Sequence, residues 1–145
     1  MGLVQRTADL HTTLVAFSPV GRALLTDTPI DYDTCQTLDF MKANPRFLQP
    51  NHKLNIAATE PFRRLAAEMG HRASSLAIAW LLHQGDHILP IPGTRSPEHL
   101  NELAAGSDIV LSDSDIGAIE EILPIGWCHG DRYSVGQWVG PEKYC

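Results

Sequence analysis

The chain has 145 residues, the length of one domain, with 43% hydrophobic and 19% charged residues, so disorder is excluded as its ground state. Lys and Arg number 11 against 17 Asp and Glu, a formal net charge of −6. General binding to nucleic acid or to an anionic membrane needs a basic excess and is therefore not expected.

From the N-terminus, residues 3–11 read as a weak helix, with Leu3, Val4, Thr7 and Leu10 on one side and no capping residue ahead of it. Met1-Gly2 resembles a myristoylation start, but Arg6 stands where Ser or Thr is required, and no charged-then-apolar leader follows. Thr13 to Phe17 is a short apolar run closed by Ser18-Pro19, the pattern of a buried strand entering a loop. Residues 26–52, rich in Asp, Thr, Pro and Asn, predict a long excursion over the surface with a short helix near Leu38 to Ala43.

Leu54 to Met69 predicts a helix, kinked or restarted at Pro61, with Phe62, Leu65, Ala66 and Met69 on its apolar face and Gly70 as a left-handed cap. Ala73 to Gln84 is apolar nearly all round, so it should be buried between layers. Its run Leu76 to Leu82 is the longest unbroken apolar stretch, far short of the ~20 residues that cross a membrane. His87 to Pro90 predicts a second buried strand, ended by Pro90, Pro92 and Gly93. Ser96-Pro97-Glu98 then opens a helix with an N-cap, a first-turn Pro and an acid at the positive dipole end, and Gly106 closes it. Ser112-x-x-Asp115 predicts a capping box for a last helix to about Leu123. Residues 124–145 form a tail with Trp127, Tyr133, Trp138 and Tyr144, expected as a flap packed by aromatics.

The cysteines, Cys35, Cys128 and Cys145, share no CxxC spacing and suggest neither a disulfide framework nor a thiolate metal site; a cytoplasmic location is expected. His83-x3-His87 has helical ligand spacing, but Gly85 interrupts the helix, and no metal is expected there. Cys128 and His129 are adjacent, so their side chains point apart rather than forming a thiolate–imidazole pair. Two strands with apolar residues on both faces suit a parallel sheet covered by helices, yet two strands alone leave unpaired edges. The chain therefore reads as one partial α/β domain, residues 1–145, incomplete alone.

Two segments carry chemistry. In Ile88 to His99, a strand enters a Gly-containing loop that delivers a helix N-terminus at Ser96-Pro97, where free amides and the dipole favour an anion. Thr94 adds a hydroxyl, and Arg95 a guanidinium suited to a phosphate monoester. The plainer alternative is a capped helix beside a solvated Arg. The second segment, Ala16 to Arg22, sets an aromatic, a hydroxyl and a cation at the carboxyl end of a strand, where ligands lie in α/β folds. Phe17 there can stack on a flat heterocycle or simply pack in the core.

Together FSPVGRALLT, LAIAWLLHQG, PIPGTRSPEHLNEL and GDRY, in that order along the chain, resemble the aldo-keto reductase family. The resemblance implies the C-terminal part of a TIM-type (β/α)8 barrel, helix-rich with two parallel strands, since a whole barrel takes ~250 residues. It also implies an NADP(H)-dependent oxidoreductase of aldehydes or ketones. Phe17 would stack on the nicotinamide, and Ser18, Pro19, Val20 and Arg22 would line the pyrophosphate loop. Gly93, Thr94 and Arg95 would hold the adenosine 2′-phosphate, with His99 and Glu102 near the adenine. The sequence departs from the family at Leu103, often an Asn, at His99, often Arg or Gln, and at Asp27-Thr28, commonly Gly-Lys; each weakens the expected dinucleotide contact.

The family's proton-donating Tyr, with the Lys and Asp that tune it and a His that polarises the carbonyl, comes from the first half of the barrel. Tyr32, Tyr133 and Tyr144 match none of those positions, so no catalytic residue is assigned and this chain alone is expected to reduce no aldehyde. A small carbonyl substrate is expected only in a complete barrel. The alternative is a non-catalytic dinucleotide-binding or interaction module that pairs with another chain, or with itself, through its unpaired strands. By the family's habit, Trp127 and Trp138 edge a substrate pocket or simply pack.

Overall fold

Exposure alternates along two short extended segments, and that alternation sets the architecture. In the computed structural model, which describes residues 2–138, Leu14–Phe17 (β1) and Ile88–Ile91 (β2) pair in parallel, Leu14 opposite Ile88 and Phe17 opposite Ile91. Leu14, Ala16, Ile88 and Pro90 point to the covered side, whereas Val15, Phe17, Leu89 and Ile91 are about half exposed on the other. The expectation of strands buried on both faces is thus corrected: among the described residues one sheet face has no layer against it. Pro90, expected to end the second strand, lies inside it. A Pro is tolerated there because β2 has a neighbour on only one side among the described residues.

Between the strands the chain passes through helices Tyr32–Thr37 (α2), Asn51–Glu68 (α3) and Ala73–His83 (α4). Leu3–Asp9 (α1) precedes β1 and buries no residue. Pro97–Ala105 (α5) and Asp113–Ile122 (α6) follow β2. Helix α3 continues through Pro61, so the helix does not restart there. Pro61 removes one helical hydrogen bond, and the buried Thr59, Phe62 and Ala66 around it keep the helix packed.

The main core gathers Phe62 and Ala66 of α3, Ala73, Leu76, Ala77 and Ala79 of α4, Leu111, and Ile119 of α6. Small residues along α4 let its neighbours approach closely. Gly70 ends the α3 region at φ 77° as the sequence predicts, and Ser112 with Asp115 forms the predicted capping box on α6.

Residues 26–52 are not the surface excursion expected. Asp31 caps α2 by accepting from the Thr34 amide at 2.8 Å, and two 3₁₀ turns, Met41–Ala43 and Pro45–Phe47, follow in place of the helix expected over 38–43. Cys35 and Phe47 are buried with Leu24 in a second core, against which Ile56, Trp127 and Cys128 pack. Polar composition misled here because a few widely spaced apolar residues, Ile30, Cys35, Met41 and Phe47, turn to one core while Leu38 and Phe40 stay exposed. Burial raises the thiols of both Cys35 and Cys128 above their ordinary value. Of the predicted tail, residues 139–145, with Tyr144 and Cys145, lie outside the described residues, as does Met1.

Candidate functional site

Parallel pairing of β1 with β2 brings their carboxyl ends together, and each continues into one of the two chemistry-bearing loops. The first loop is strained. Ser18, Gly21, Arg22 and Ala23 have φ of 52°, 58°, 55° and 73°, although three of the four are not glycine. Each non-glycine residue in that region costs roughly 1–2 kcal/mol. Pro19 and Leu24, both buried, hold the turn, and the Gly21 and Leu25 amides donate to the Ser18 and Val20 carbonyls at 2.9 and 3.1 Å. Val20 packs against the main core. Strain of this kind collects at ligand clamps.

Phe17, at the end of β1, leaves 51% of its surface open on the uncovered sheet face. Arg22 turns to the tail: its guanidinium carbon lies 4.3 Å from the Phe40 ring centroid and 5.2 Å from that of Tyr133. Tyr133 is buried, edge-on to Phe40, and edge-on to Trp138 at 5.1 Å. Trp138 thus packs on Tyr133, while Trp127 borders a cavity of about 220 Å³ together with Phe17, Ser18, Pro19, Phe62 and Trp80. The buried Trp80 indole N–H has no partner among the described residues. That volume is below the ~300 Å³ at which ligand pockets begin. A dinucleotide is larger still and does not fit this cavity.

In the second loop, Gly93, Thr94, Arg95 and His99 are exposed. Thr94 Oγ1 accepts from the Ser96 amide at 3.3 Å, and Ser96 Oγ caps α5 by accepting from the His99 amide at 3.3 Å. The Ser96 hydroxyl also donates to Glu98, and that hydrogen bond holds the Glu98 carboxyl below its usual value. Part of the anion-attracting end of α5 is therefore taken by an internal carboxylate. Arg95 has no carboxylate partner within salt-bridge distance among the described residues. Glu102 faces α4, where its carboxylate meets Arg72 at 3.5 Å and the Ser74 hydroxyl at 3.4 Å.

Sequence reasoning missed several residues that position this site. Asp27 accepts from the Ala73 amide at 3.1 Å, capping α4, and pairs with Arg72 at 3.3 Å. Arg72 so ties the end of the first loop to Glu102 on α5. Such partly exposed pairs contribute under about 1 kcal/mol each, so Arg72 sets orientation more than stability. Fully buried Asn44 and Asn55 hold the tail. Asn44 Nδ2 donates to the Arg132 carbonyl at 2.7 Å, and Asn55 both donates to the His129 carbonyl at 3.0 Å and accepts from the His129 amide at 2.7 Å. An Asn in a helix expected to be amphipathic and solvated gave no sign of this.

His87 does not face His83 as a ligand; its Nε2 meets the Val4 carbonyl at 2.9 Å and Thr7 Oγ1 at 3.1 Å. Among the described residues no three His, Cys, Asp or Glu side chains gather as a metal site, and no helix is long and apolar enough to cross a membrane.

Comparison with known proteins agrees with this layout. The model of the aldo/keto reductase family matches residues 2–124. The chain is 31% identical over 136 residues to the Schizosaccharomyces pombe aldo-keto reductase yakc [NADP(+)], covering 94% of this chain and 40% of that one. It is 32% identical over 134 residues to a probable aldo-keto reductase 1 of Glycine max, covering 92% and 38%. Among solved structures, the glycerol dehydrogenase AKR11B4 from Gluconobacter oxydans superposes with a TM-score of 0.65 at 25% identity, over 83% of this chain and 36% of that one. The chain thus spans about two-fifths of the length of these relatives. Its two strands and their helices are part of a TIM-type barrel.

Proposed function

The chain belongs to the aldo/keto reductase family, and from that premise we propose that its two loops form the NADP(H)-binding portion of an oxidoreductase acting on small aldehydes or ketones. The observation that carries this is the pairing of Phe17 with Ile91. It sets a half-exposed aromatic ring, a strained loop and the Gly93-Thr94-Arg95 loop along one edge of the sheet. A flat ring stacks on Phe17, with Ser18, Pro19, Val20 and Arg22 forming the loop beside the pyrophosphate. Gly93, Thr94 and Arg95 meet the 2′-phosphate, and His99 lies beside the adenine. Glu102 takes the adenine only after leaving Arg72 and Ser74.

The bound nicotinamide supplies hydride; the proton donor and the carbonyl-polarising His of the family are not among the residues named here. Carbonyl reduction therefore needs groups beyond this set.

Thermal unfolding with and without NADPH tests the reading. A ligand that binds only the folded state adds ~2.7 kcal/mol at a hundred times its dissociation constant. An unchanged midpoint at saturating NADPH rejects the site. Arg95→Ala should weaken NADPH by roughly tenfold and NADH far less, since a guanidinium–phosphate contact contributes about 1.5–3 kcal/mol. Equal losses for the two cofactors, measured by calorimetry, would show that Arg95 does not reach the 2′-phosphate.

The uncovered apolar face formed by Val15, Phe17, Leu89 and Ile91 also favours a second reading, a non-catalytic module that completes its sheet against another chain. Sedimentation separates the two, because that module should associate whether or not NADPH is present.

A further inference from the structure

Arg22 differs from the other cations of the chain in what surrounds it. Its guanidinium carbon lies over the Phe40 ring, 4.3 Å from the centroid, and 5.2 Å from the centroid of Tyr133. An aromatic ring attracts a guanidinium through its electron-rich face but offers the N–H groups no oxygen or nitrogen lone pair. Among the described residues Arg22 has no carboxylate within salt-bridge distance, whereas Lys42, Arg64 and Arg72 are all paired. Nor does its side chain donate to any carbonyl or hydroxyl there, as those of Arg46 and Arg63 do. The charge is held in place while its donors stay uncommitted. Arg132, also without a carboxylate partner among the described residues, lies 6.0 Å from the Phe17 ring centroid. Two guanidiniums thus gather at the first loop of a chain whose formal net charge is −6, a local field that favours an anion.

Phe40 belongs to neither core. It is 39% exposed, in a segment where Cys35 and Phe47 are fully buried. Its position is nevertheless fixed from the tail: Tyr133 meets it edge-on at 6.1 Å, and its carbonyl accepts from Gln137 Nε2 at 2.9 Å. Arg22, opposite, leaves the strained turn from a left-handed position, φ 55°. An arginine that moves freely must give up rotamer freedom to bind an anion, whereas one already stacked gives it up on folding.

We propose that Phe40, by stacking, positions Arg22 as a preformed donor for the pyrophosphate of the dinucleotide. This rests on the first loop meeting the pyrophosphate, as proposed above. Phe40 acts through Arg22 rather than on the ligand and is a positioning residue; the charge-assisted hydrogen bonds come from Arg22. The opposite arrangement, in which the rings withhold Arg22 from the ligand, predicts the opposite sign when the Phe40 ring is removed.

The test is calorimetric titration of the whole chain with NADPH and with adenosine 2′-phosphate, which lacks the pyrophosphate. The proteins compared are native, Arg22→Gln, Phe40→Leu, Phe40→Tyr and the double variant of Arg22→Gln with Phe40→Leu. Arg22→Gln should weaken NADPH by roughly tenfold and Phe40→Leu by roughly fivefold, with adenosine 2′-phosphate unchanged in both. The double variant should lose no more than Arg22→Gln alone, because Phe40 then has nothing to act through. Phe40→Tyr, which keeps the ring, should bind as the native protein does. NADPH bound as tightly or more tightly by Phe40→Leu overturns the proposal, and so do losses that multiply in the double variant. If Phe40→Leu also loses adenosine 2′-phosphate, Phe40→Met takes its place; loss of both ligands in both variants marks a structural role and overturns the proposal. Unchanged NADPH affinity in Arg22→Gln overturns it while leaving the dinucleotide site standing. Native protein that binds neither ligand overturns that site itself.

Discussion

Replacing Asn55 with alanine should destabilise the folded chain by about 3 kcal/mol and loosen the tail from the second core. Asn55 is fully buried, and its amide makes three bonds: to the Arg46 carbonyl at 3.0 Å, to the His129 carbonyl at 3.0 Å, and from the His129 amide at 2.7 Å. Alanine leaves one donor and two acceptors of this part-buried contact without their partner, and each such group costs about 1–3 kcal/mol where water does not reach it. Water entering the vacated space recovers part of that, hence the estimate near the lower end. Domain stability is only ~5–15 kcal/mol, so the loss is a large fraction of the whole. Urea unfolding measures it. Faster proteolysis after Arg132, whose neighbour Tyr133 is now buried, would report the tail's release. A change under about 1 kcal/mol would mean that the tail is held by its aromatics rather than by Asn55.

Gly106→Ala should destabilise by about 2 kcal/mol, and its sign decides why the glycine is there. Gly106 caps α5 with φ of −62°, a conformation open to any residue. If ending the helix were its only role, alanine would be neutral or better by up to about 1 kcal/mol through helix propensity. A Cβ at this position, however, would meet the Ser75 carbonyl oxygen at 2.6 Å and Ile78 Cβ at 2.7 Å. Neither is the far end of a flexible chain, so α4 and α5 must move apart, and overpacking of this kind costs about 1–3 kcal/mol. The same displacement strains the Ser75 hydroxyl bond to the Glu102 carbonyl, at 2.6 Å. A more stable alanine variant in chemical denaturation would disprove close packing as the reason.

Gly106 also illustrates what could and could not be seen in the sequence. Local signals were legible wherever one or two residues decide the outcome. Ser96 and Ser112 start helices by capping bonds within their own turn, Gly70 supplies a left-handed φ, and the apolar runs ending at Phe17 and near Pro90 are the two strands. The four ordered segments that resembled the aldo-keto reductases pointed to the family that the comparisons establish. What stayed hidden depends on partners distant along the chain. Pro61 looked like a break because its packing through Phe62 and Ala66 cannot be read locally. Residues 26–52 looked solvated because Cys35 and Phe47 find Leu24 and Trp127 only in three dimensions. Asp27, which looked like a defect in a cofactor loop, turned out to cap α4. The Arg132–Phe17 approach joins the tail to β1 and has no trace in spacing or composition.

The tail is gripped by its peptide groups. Asn44 bonds the Arg132 carbonyl, Asn55 bonds the His129 amide and carbonyl, and Arg46 Nε bonds the Gly130 carbonyl at 3.4 Å. Peptide groups are the same whatever side chain they carry. Gly130 is the exception, since a Cβ there would strike Pro45 and Asn51. Exposed Asp131 and Val135, and the partly exposed Arg132, can therefore be exchanged in the course of divergence without undoing the attachment. Attachment of the tail therefore places little demand on most of the side chains it carries, and these can vary while the scaffold beneath stays fixed.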